Sequence, residues 1–495
     1  MKEKLAIGVL WLGGARVLVN IMGLCSTLVL ARLLTPEDFG LVAIVTTLLS
    51  IIGPVTELSL SAALIQQQAP TEEHFHTAWT MNLLRALLVG GGFCLAAPWV
   101  ADFYGDTRLT GVMLAIGLSI VICGLSNPKL IVRERNLEFW PSFVMSVSNK
   151  LVGLLVGVTL ALIYRNYWAL IGGTLAAQLA GVIASYWLQP YRPRWSIRHV
   201  KQLWSFSIWL TLGQTVNTLN WRLDHLMVGT FLGPTALGTY VVGDNLAALP
   251  TRESTGPIQQ TLFPSFRAVR HDRERLVRTY QRAQALVSAV ALPIGFGVAV
   301  AADVLVPLVL GPNWGEAVLV MQVLSCVFAL QTMSSTVQPL ALAEGATQLM
   351  FRRDLFSFAM RVPIILLGMW LAGMPGIVYA RMVTGVLAIG INMYVVQRLI
   401  GLSLLQQVGN TARSLLSVAA MGIALLGLCH NWSVGDTSGQ RLVYLLLLGA
   451  TGVFVYTAVH LFSWRLSGRP VGPESDLLGF LNKARDRIRA HFGRT

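Results

Sequence analysis

Leu33-Leu34-Thr35-Pro36-Glu37-Asp38-Phe39-Gly40 is a short polar turn set between two long apolar runs, 5–31 and 39–66. Each run exceeds the roughly 20 apolar residues, at about 1.5 Å apiece, that carry a helix across about 30 Å of hydrocarbon. Thr35 can cap the following helix, Pro36 suits its first position, and Glu37 and Asp38 favour its positive end. The turn returns 198 residues later as Phe231-Leu232-Gly233-Pro234-Thr235-Ala236-Leu237-Gly238, with Leu, Pro and Gly at matching places and Leu48 falling on Leu246. A looser echo pairs Asp102-Phe103-Tyr104-Gly105 with Leu308-Val309-Leu310-Gly311. The repeat encloses an even number of spans, so both halves take one orientation. Parallel repeats of this kind hold substrate between them.

The same apolar character runs through the rest of the chain. Of 495 residues 54% are hydrophobic and only 12% charged, with a mean hydropathy of +0.63. A soluble chain averages about 25% charged, so soluble enzymes, secreted disulfide scaffolds and nucleic-acid-binding domains are excluded despite the net charge of +14. Further spans fall at 77–101, 109–128, 141–163, 167–188, 203–232, 236–262, 283–302, 314–343, 355–372, 376–397, 414–430 and 442–463, which makes fourteen. The expected fold is an all-α integral membrane protein: parallel-repeated six-helix lobes at 1–200 and 201–400, two further helices in 401–465, and a tail at 466–495. Apolar Leu477, Leu478, Leu481, Ile488 and Phe492 among Lys483, Arg485, Arg487 and Arg489 make that tail a basic amphipathic helix on the inner membrane surface.

With the N-terminus inside, 26 of the 37 Lys and Arg fall in the two tails and the even-numbered loops, and four in the odd-numbered loops (Arg32, Arg108, Arg165, Arg441). The positive-inside rule then places both termini in the cytoplasm. The basic inner loops, such as Arg267 to Arg282, also attract anionic lipid. Met1 to Arg32 is too long, and too interrupted by Arg16, for a cleaved signal peptide. Cys25, Cys94, Cys123, Cys326 and Cys429 lie inside apolar spans without a CxxC pair and read as small core residues. His74 and His76 read as exposed beside Glu72 and Glu73, with no metal set implied. Gly153 and Gly157 at GxxxG spacing permit close helix packing. No P-loop, HExxH or GxSxG occurs.

Ionisable groups at membrane depth cost several kcal/mol and are functional candidates by default. Helical spacing gathers them into stripes: Arg16, Asn20, Gly23 and Thr27 on the first span, Trp79, Asn82 and Arg85 on the third, and Gln214, Asn217, Trp221 and Asp224 on the seventh. The eighth carries Asp244, Ala248, Thr251 and Thr255 beside Asn245, Arg252 and Gln259. Lipid offers such groups no partners, so the stripes imply a wet central cavity. Half one buries Arg16, Arg85 and Lys150 against Glu57; half two buries Arg222 and Arg252 against Asp224, Asp244 and Glu253. A cationic half beside a carboxylate-bearing half suits an anionic substrate coupled to a cation. The planar fork of Arg suits phosphate. Structural ion pairs between helices are the alternative, and Arg361 and Arg381 remain secondary candidates, Arg381 at a membrane interface.

Leu34-Thr-Pro-Glu-Asp-Phe-Gly40, Leu60 to Ile65, Thr71-Glu-Glu73, and Asp224 through Gly229, Gly233, Gly238 and Tyr240 to Phe263-Pro264 resemble the polysaccharide-exporter, Wzx-type flippase family of the multidrug/oligosaccharidyl-lipid/polysaccharide superfamily. The resemblance covers roughly 1–400. It implies movement of undecaprenyl-pyrophosphate-linked oligosaccharide across the bacterial inner membrane, by alternating access of two six-helix lobes, driven by a proton or sodium gradient. It implies no other cofactor. Its partners would be the lipid-linked sugar, membrane lipids, and the polymerase and other proteins of an export machine. The family has no fixed substrate motif, so roles follow the stripes. Arg16 and Arg85 would grip the pyrophosphate, Asn20, Asn82 and Asn217 the sugar hydroxyls, and Asp224, Asp244 or Glu253 the coupling cation. Lys150, Arg222, Arg252 and Arg361 are secondary. A drug/cation antiporter of the same superfamily usually has twelve spans and favours carboxylates. A membrane polysaccharide polymerase or ligase would carry a large external loop with catalytic groups, which the short outside loops do not supply.

Overall fold

The structure, a computed structural model, describes residues 2–56, 64, 71–136, 138–432, 437–468 and 474, with side chains outside 2–10, 12, 55, 134–135 and 201–217. Helices dominate, and no strand occurs among the described residues. In lipid a helix satisfies its own backbone polar groups. The first helices are α1 (Lys2–Leu33), α2 (Pro36–Thr56), α3 (Glu72–Tyr104), α4 (Arg108–Gly124), the short α5 (Ile131–Arg135), α6 (Trp140–Tyr164) and α7 (Trp168–Leu188). Then come α8 (Val200–Val269), α9 (Arg273–Val309), α10 (Ala317–Gln331), α11 (Val337–Ala343), α12 (Thr347–Ile400), α13 (Leu404–Asn431) and α14 (Ser438–Leu466). Eleven helices among the described residues, counting α10 through α11 as one, are long and apolar enough to cross a membrane, and α4 is a shorter apolar helix. Glu57 and the expected tail helix, apart from Glu474, lie outside the described residues.

The chain divides into two compact units, Met1–Val241 with Val309–Asn313, and Val242–Leu308 with Trp314–Thr495. In the first, Leu30 and Leu34 pack with Ala161 and Ala169. In the second, Met421 and Leu425 of α13 pack with Tyr444 and Leu448 of α14 and with Val304.

Two helices fold back on themselves. A straight α8 of 70 residues would run about 105 Å. Instead Tyr240 Oη donates to Asp224 Oδ2 at 2.6 Å, which requires a reversal between them. The bend is at Gly233 (φ 86°, ψ 179°), a conformation essentially restricted to glycine. In α12 the bend is at Ala372 and Gly373. There a Cβ added to Gly376 would stand 1.9 Å from the Gly368 carbonyl oxygen.

The Gly153/Gly157 expectation holds. Gly173 of α7 lies against both, and a Cβ there would stand 2.9 Å from Gly153 O and 3.1 Å from Gly157 Cα. Two other expectations fail. Cys25 and Cys123 are exposed on their helices rather than in the core, and all five cysteines are free. His74 and His76 are buried, not exposed. A strap formed by residues 189–199 covers them: His199 stacks on His74 at 3.8 Å between ring centroids. Tyr191 Oη lies 2.8 Å from His76 Nδ1, and Ser196 Oγ donates to Glu73 Oε2 at 2.9 Å. Nothing near residue 74 in sequence announces a cover that arrives more than a hundred residues later.

Candidate functional site

The repeated turns place the helices that carry the charged stripes. Thr35 and Asp38 cap α2 reciprocally: Thr35 N–H and Oγ1–H donate to Asp38 Oδ2 at 3.0 and 2.8 Å. The Asp38 N–H returns to Thr35 Oγ1 at 3.3 Å. Four residues after Pro36, Gly40 meets the other copy. A Cβ on Gly40 would stand 1.7 Å from the Pro234 carbonyl oxygen, and a Cβ on Gly238 would stand 1.8 Å from the Pro36 carbonyl oxygen. The contact is reciprocal, each glycine seating the carbonyl of the other copy's proline. Close backbone approach of this kind is what small residues at helix crossings allow.

The second echo surrounds this crossing. Gly105 and Gly311 both adopt positive φ, 66° and 100°, so the two loops match in conformation as well as in sequence. Arg32 Nε donates to Val309 O at 2.9 Å, and Tyr104 Oη lies 3.1 Å from Thr230 Oγ1. Arg32 and Thr230 are equivalent at the 198-residue offset, and Val309 matches Phe103, the neighbour of Tyr104. Each turn is thus tied to the echo loop of the other half, though not through equivalent loop residues. Arg108 bridges Asp106 and Glu37 and holds the Asp106 carboxyl below its usual range, chiefly through their side-chain hydrogen bond. An internal repeat announces equivalence rather than contact, so the sequence carries no signal that the copies touch.

The charged candidates separate into held and presented groups. Arg85 is half-buried on α3 and reaches α2 through long contacts, Nη2 to Gly53 O and Nε to Thr56 Oγ1, both 3.4 Å. Arg16 is exposed on α1, and Asn20 is half-buried one turn on. Lys150 of α6 lies along the same stripe, its Nζ 3.5 Å from where a Gly23 Cβ would be. Asn82 donates to Gly124 O of α4 at 3.2 Å, and Trp79 Nε1 donates to Tyr186 Oη at 3.1 Å. The third-span stripe thus spreads over three neighbours. No hydrogen bond or ion pair between Arg16 and Arg85 occurs among the described residues. The side chain of Asn217 lies outside them.

The carboxylates differ sharply. Asp224 is fully buried and accepts from Tyr240, itself fully buried. The His225 ring stands edge-on to Tyr240 at 5.6 Å, and Arg222 Nη1 lies 3.3 Å from His225 Nδ1. Asp244 lies 3.8 Å from Arg381, and Arg381 is buried with its guanidinium 5.7 Å from the Phe328 ring centroid. Glu253 pairs with its neighbour Arg252 at 3.2 Å, and Arg252 is largely exposed. Arg361 is half-buried on α12. Tyr240 is the member that sequence spacing missed. A further polar stripe was also missed, Gln407, Thr411, Ser414 and Ser417, all buried on α13, although its spacing of four, three and three is readable.

A family model described as polysaccharide biosynthesis protein matches residues 29–319, more than half of the chain. The chain belongs to the polysaccharide biosynthesis protein family. Lipopolysaccharide biosynthesis protein WzxC of Escherichia coli K12 is 23% identical over 385 residues, 76% of this chain and 77% of WzxC. Succinoglycan biosynthesis transport protein ExoT of Rhizobium meliloti is 25% identical over 325 residues, 65% of this chain and 66% of ExoT. The solved lipid II flippase MurJ, in an inward closed conformation, matches with a TM-score of 0.73 at 14% identity, over 92% of this chain and 99% of MurJ. This polysaccharide biosynthesis protein is accordingly a multi-pass membrane transporter rather than an enzyme.

Proposed function

We propose that the protein flips undecaprenyl-pyrophosphate-linked oligosaccharide repeat units across the bacterial inner membrane, by alternating access driven by a proton or sodium gradient. The observation that carries this reading is the family match over residues 29–319. The names of WzxC and ExoT, a lipopolysaccharide biosynthesis and a transport protein, support the substrate class.

In this reading the chain crosses the membrane fourteen times: α8 and α12 cross twice each, and α4 adds one crossing to the eleven long helices. Both termini are cytoplasmic, and the lobes at 1–200 and 201–400 rock against each other. The reciprocal Gly40–Gly238 crossing is then the external closure, which must part for release. Arg85, whose contacts to α2 are long and exchangeable, and exposed Arg16 grip the pyrophosphate. Asn20, Asn82 and Asn217 meet sugar hydroxyls, with Lys150 as a further cation. Asp224, Asp244 or Glu253 carries the coupling cation. The polymerase of an export machine takes the product.

The test follows lipid-linked repeat units in cells deleted for the gene. Inner-leaflet accumulation, relieved by the intact gene but not by Arg16→Ala or Arg85→Ala copies of equal membrane abundance, is the expected result. Normal sugar turnover with altered sensitivity to cationic dyes would replace this reading with a drug/cation antiporter.

A further inference from the structure

A third set of charges, partly to fully buried, lies in the second unit beside the polar stripe of α13. α13 and α14 are consecutive antiparallel neighbours, so the start of one and the end of the other share a side. Arg413 is the tenth residue of α13 and His460 the seventh from the end of α14. At 1.5 Å per residue they sit about 14 and 9 Å in from those ends. Between them lies Glu474, eight residues beyond α14. Its Oε1 is 2.8 Å from Arg413 Nη1 and 3.1 Å from His460 Nε2, and its side chain is 4% exposed. Ser417 Oγ stands 3.3 Å from His460 Nδ1.

Arg413 is partly buried, and a guanidinium drawn out of water is destabilising without an anion, so this end of the helix pair favours one. Glu474 meets the demand incompletely. Its second oxygen, Oε2, is buried and takes no hydrogen bond from the described residues. A phosphate offers more oxygens than a carboxylate, arranged so that a guanidinium fork and an imidazole N–H can be satisfied together. We propose that Arg413 and His460 form an anion-binding site for a phosphate group, with Glu474 as its resident, displaceable occupant. The phosphate comes from an anionic lipid headgroup or from free inorganic phosphate; the chemistry at the site is the same. The chain thereby carries its own competitor, and the ligand must displace it to bind.

The test uses the full chain in nanodiscs, with bound lipid counted by native mass spectrometry during titration with phosphatidylglycerol or phosphatidylcholine. Glu474→Ala should bind one phosphatidylglycerol about tenfold more tightly than wild type, with no gain for phosphatidylcholine. Adding Arg413→Gln to that variant should cancel the gain. Where the double variant fails to fold, Glu474→Ala with His460→Gln replaces it and should weaken binding several-fold. Inorganic phosphate that binds the Glu474→Ala chain while phosphatidylglycerol does not would support the site with the free ion as its source. Equal affinity of wild type and Glu474→Ala for both probes, or a gain that survives Arg413→Gln, would overturn it. Binding is read here without transport, so this site and the proposed flipping can fail separately.

Discussion

The two copies of the repeated turn reach the same contact by different devices. In the first, the chain stops and restarts: α1 ends at Leu33, α2 begins at Pro36, and Thr35 and Asp38 cap each other. In the second, Gly233 and Ala236 stand where Thr35 and Asp38 stood. No capping side chain of that kind is available, and the chain turns on the backbone freedom of Gly233 instead. What both copies keep is the proline and the glycine four residues later, the two residues that touch across the crossing. Side-chain hydrogen bonds and glycine torsions are interchangeable ways to turn. The close approach has no substitute.

The largest expected effect tests that claim directly. Gly40→Val and Gly238→Val should each abolish export, because a Cβ is fixed by the backbone and no rotamer relieves contact with a carbonyl. The cost should exceed the ~1–3 kcal/mol of ordinary overpacking. Thermal unfolding of the purified variants, beside export in cells, measures both. A chain that tolerates valine at one copy alone would break the equivalence.

Next come the turning devices. Gly233→Ala should lose about 1–3 kcal/mol through a torsion forced on a residue with a Cβ, whereas Thr35→Ala should lose only about 1 kcal/mol of capping. Matching losses in thermal unfolding would mean that the devices carry equal weight after all.

The smallest effect is electrostatic. Arg108 holds Glu37 at the first copy, where the second has Thr235. It also depresses the Asp106 carboxyl. A depressed carboxylate contributes stability above its unfolded value of about 3.9, and that contribution is lost as pH falls through the lower folded value. Arg108→Ala should therefore cost up to ~1 kcal/mol near pH 7. The gap to wild type should close as the pH drops below about 4. A gap independent of pH would move Arg108's role to packing.

These particulars show which parts of the molecule can be read from sequence. Helical spans, the cap at Thr35 and the glycine seam at Gly153 rest on neighbours within a few residues, and each was legible. Partnerships across a bend or between distant segments were not. Asp224 and Tyr240 fall on separate spans by periodicity, and only the reversal at Gly233 brings them to 2.6 Å. Arg381 was found by type, but its partner Asp244 is more than a hundred residues away and no spacing pairs them. His74 looked exposed because its cover, His199, comes from another loop. The candidate cations were found by type. Which of them are held and which presented depended on packing that composition does not encode.

The hairpin of α6 and α7 carries a consequence for how the chain enters the membrane. Two helices long enough to span are joined by only Arg165, Asn166 and Tyr167, with Arg165 the only non-glycine residue at positive φ among the described residues. Their small-residue faces, Gly153 and Gly157 against Gly173, are satisfied by one another. Contacts so close in sequence form early. The pair can leave the insertion machinery as a finished unit, needing nothing from the chain still to be synthesised.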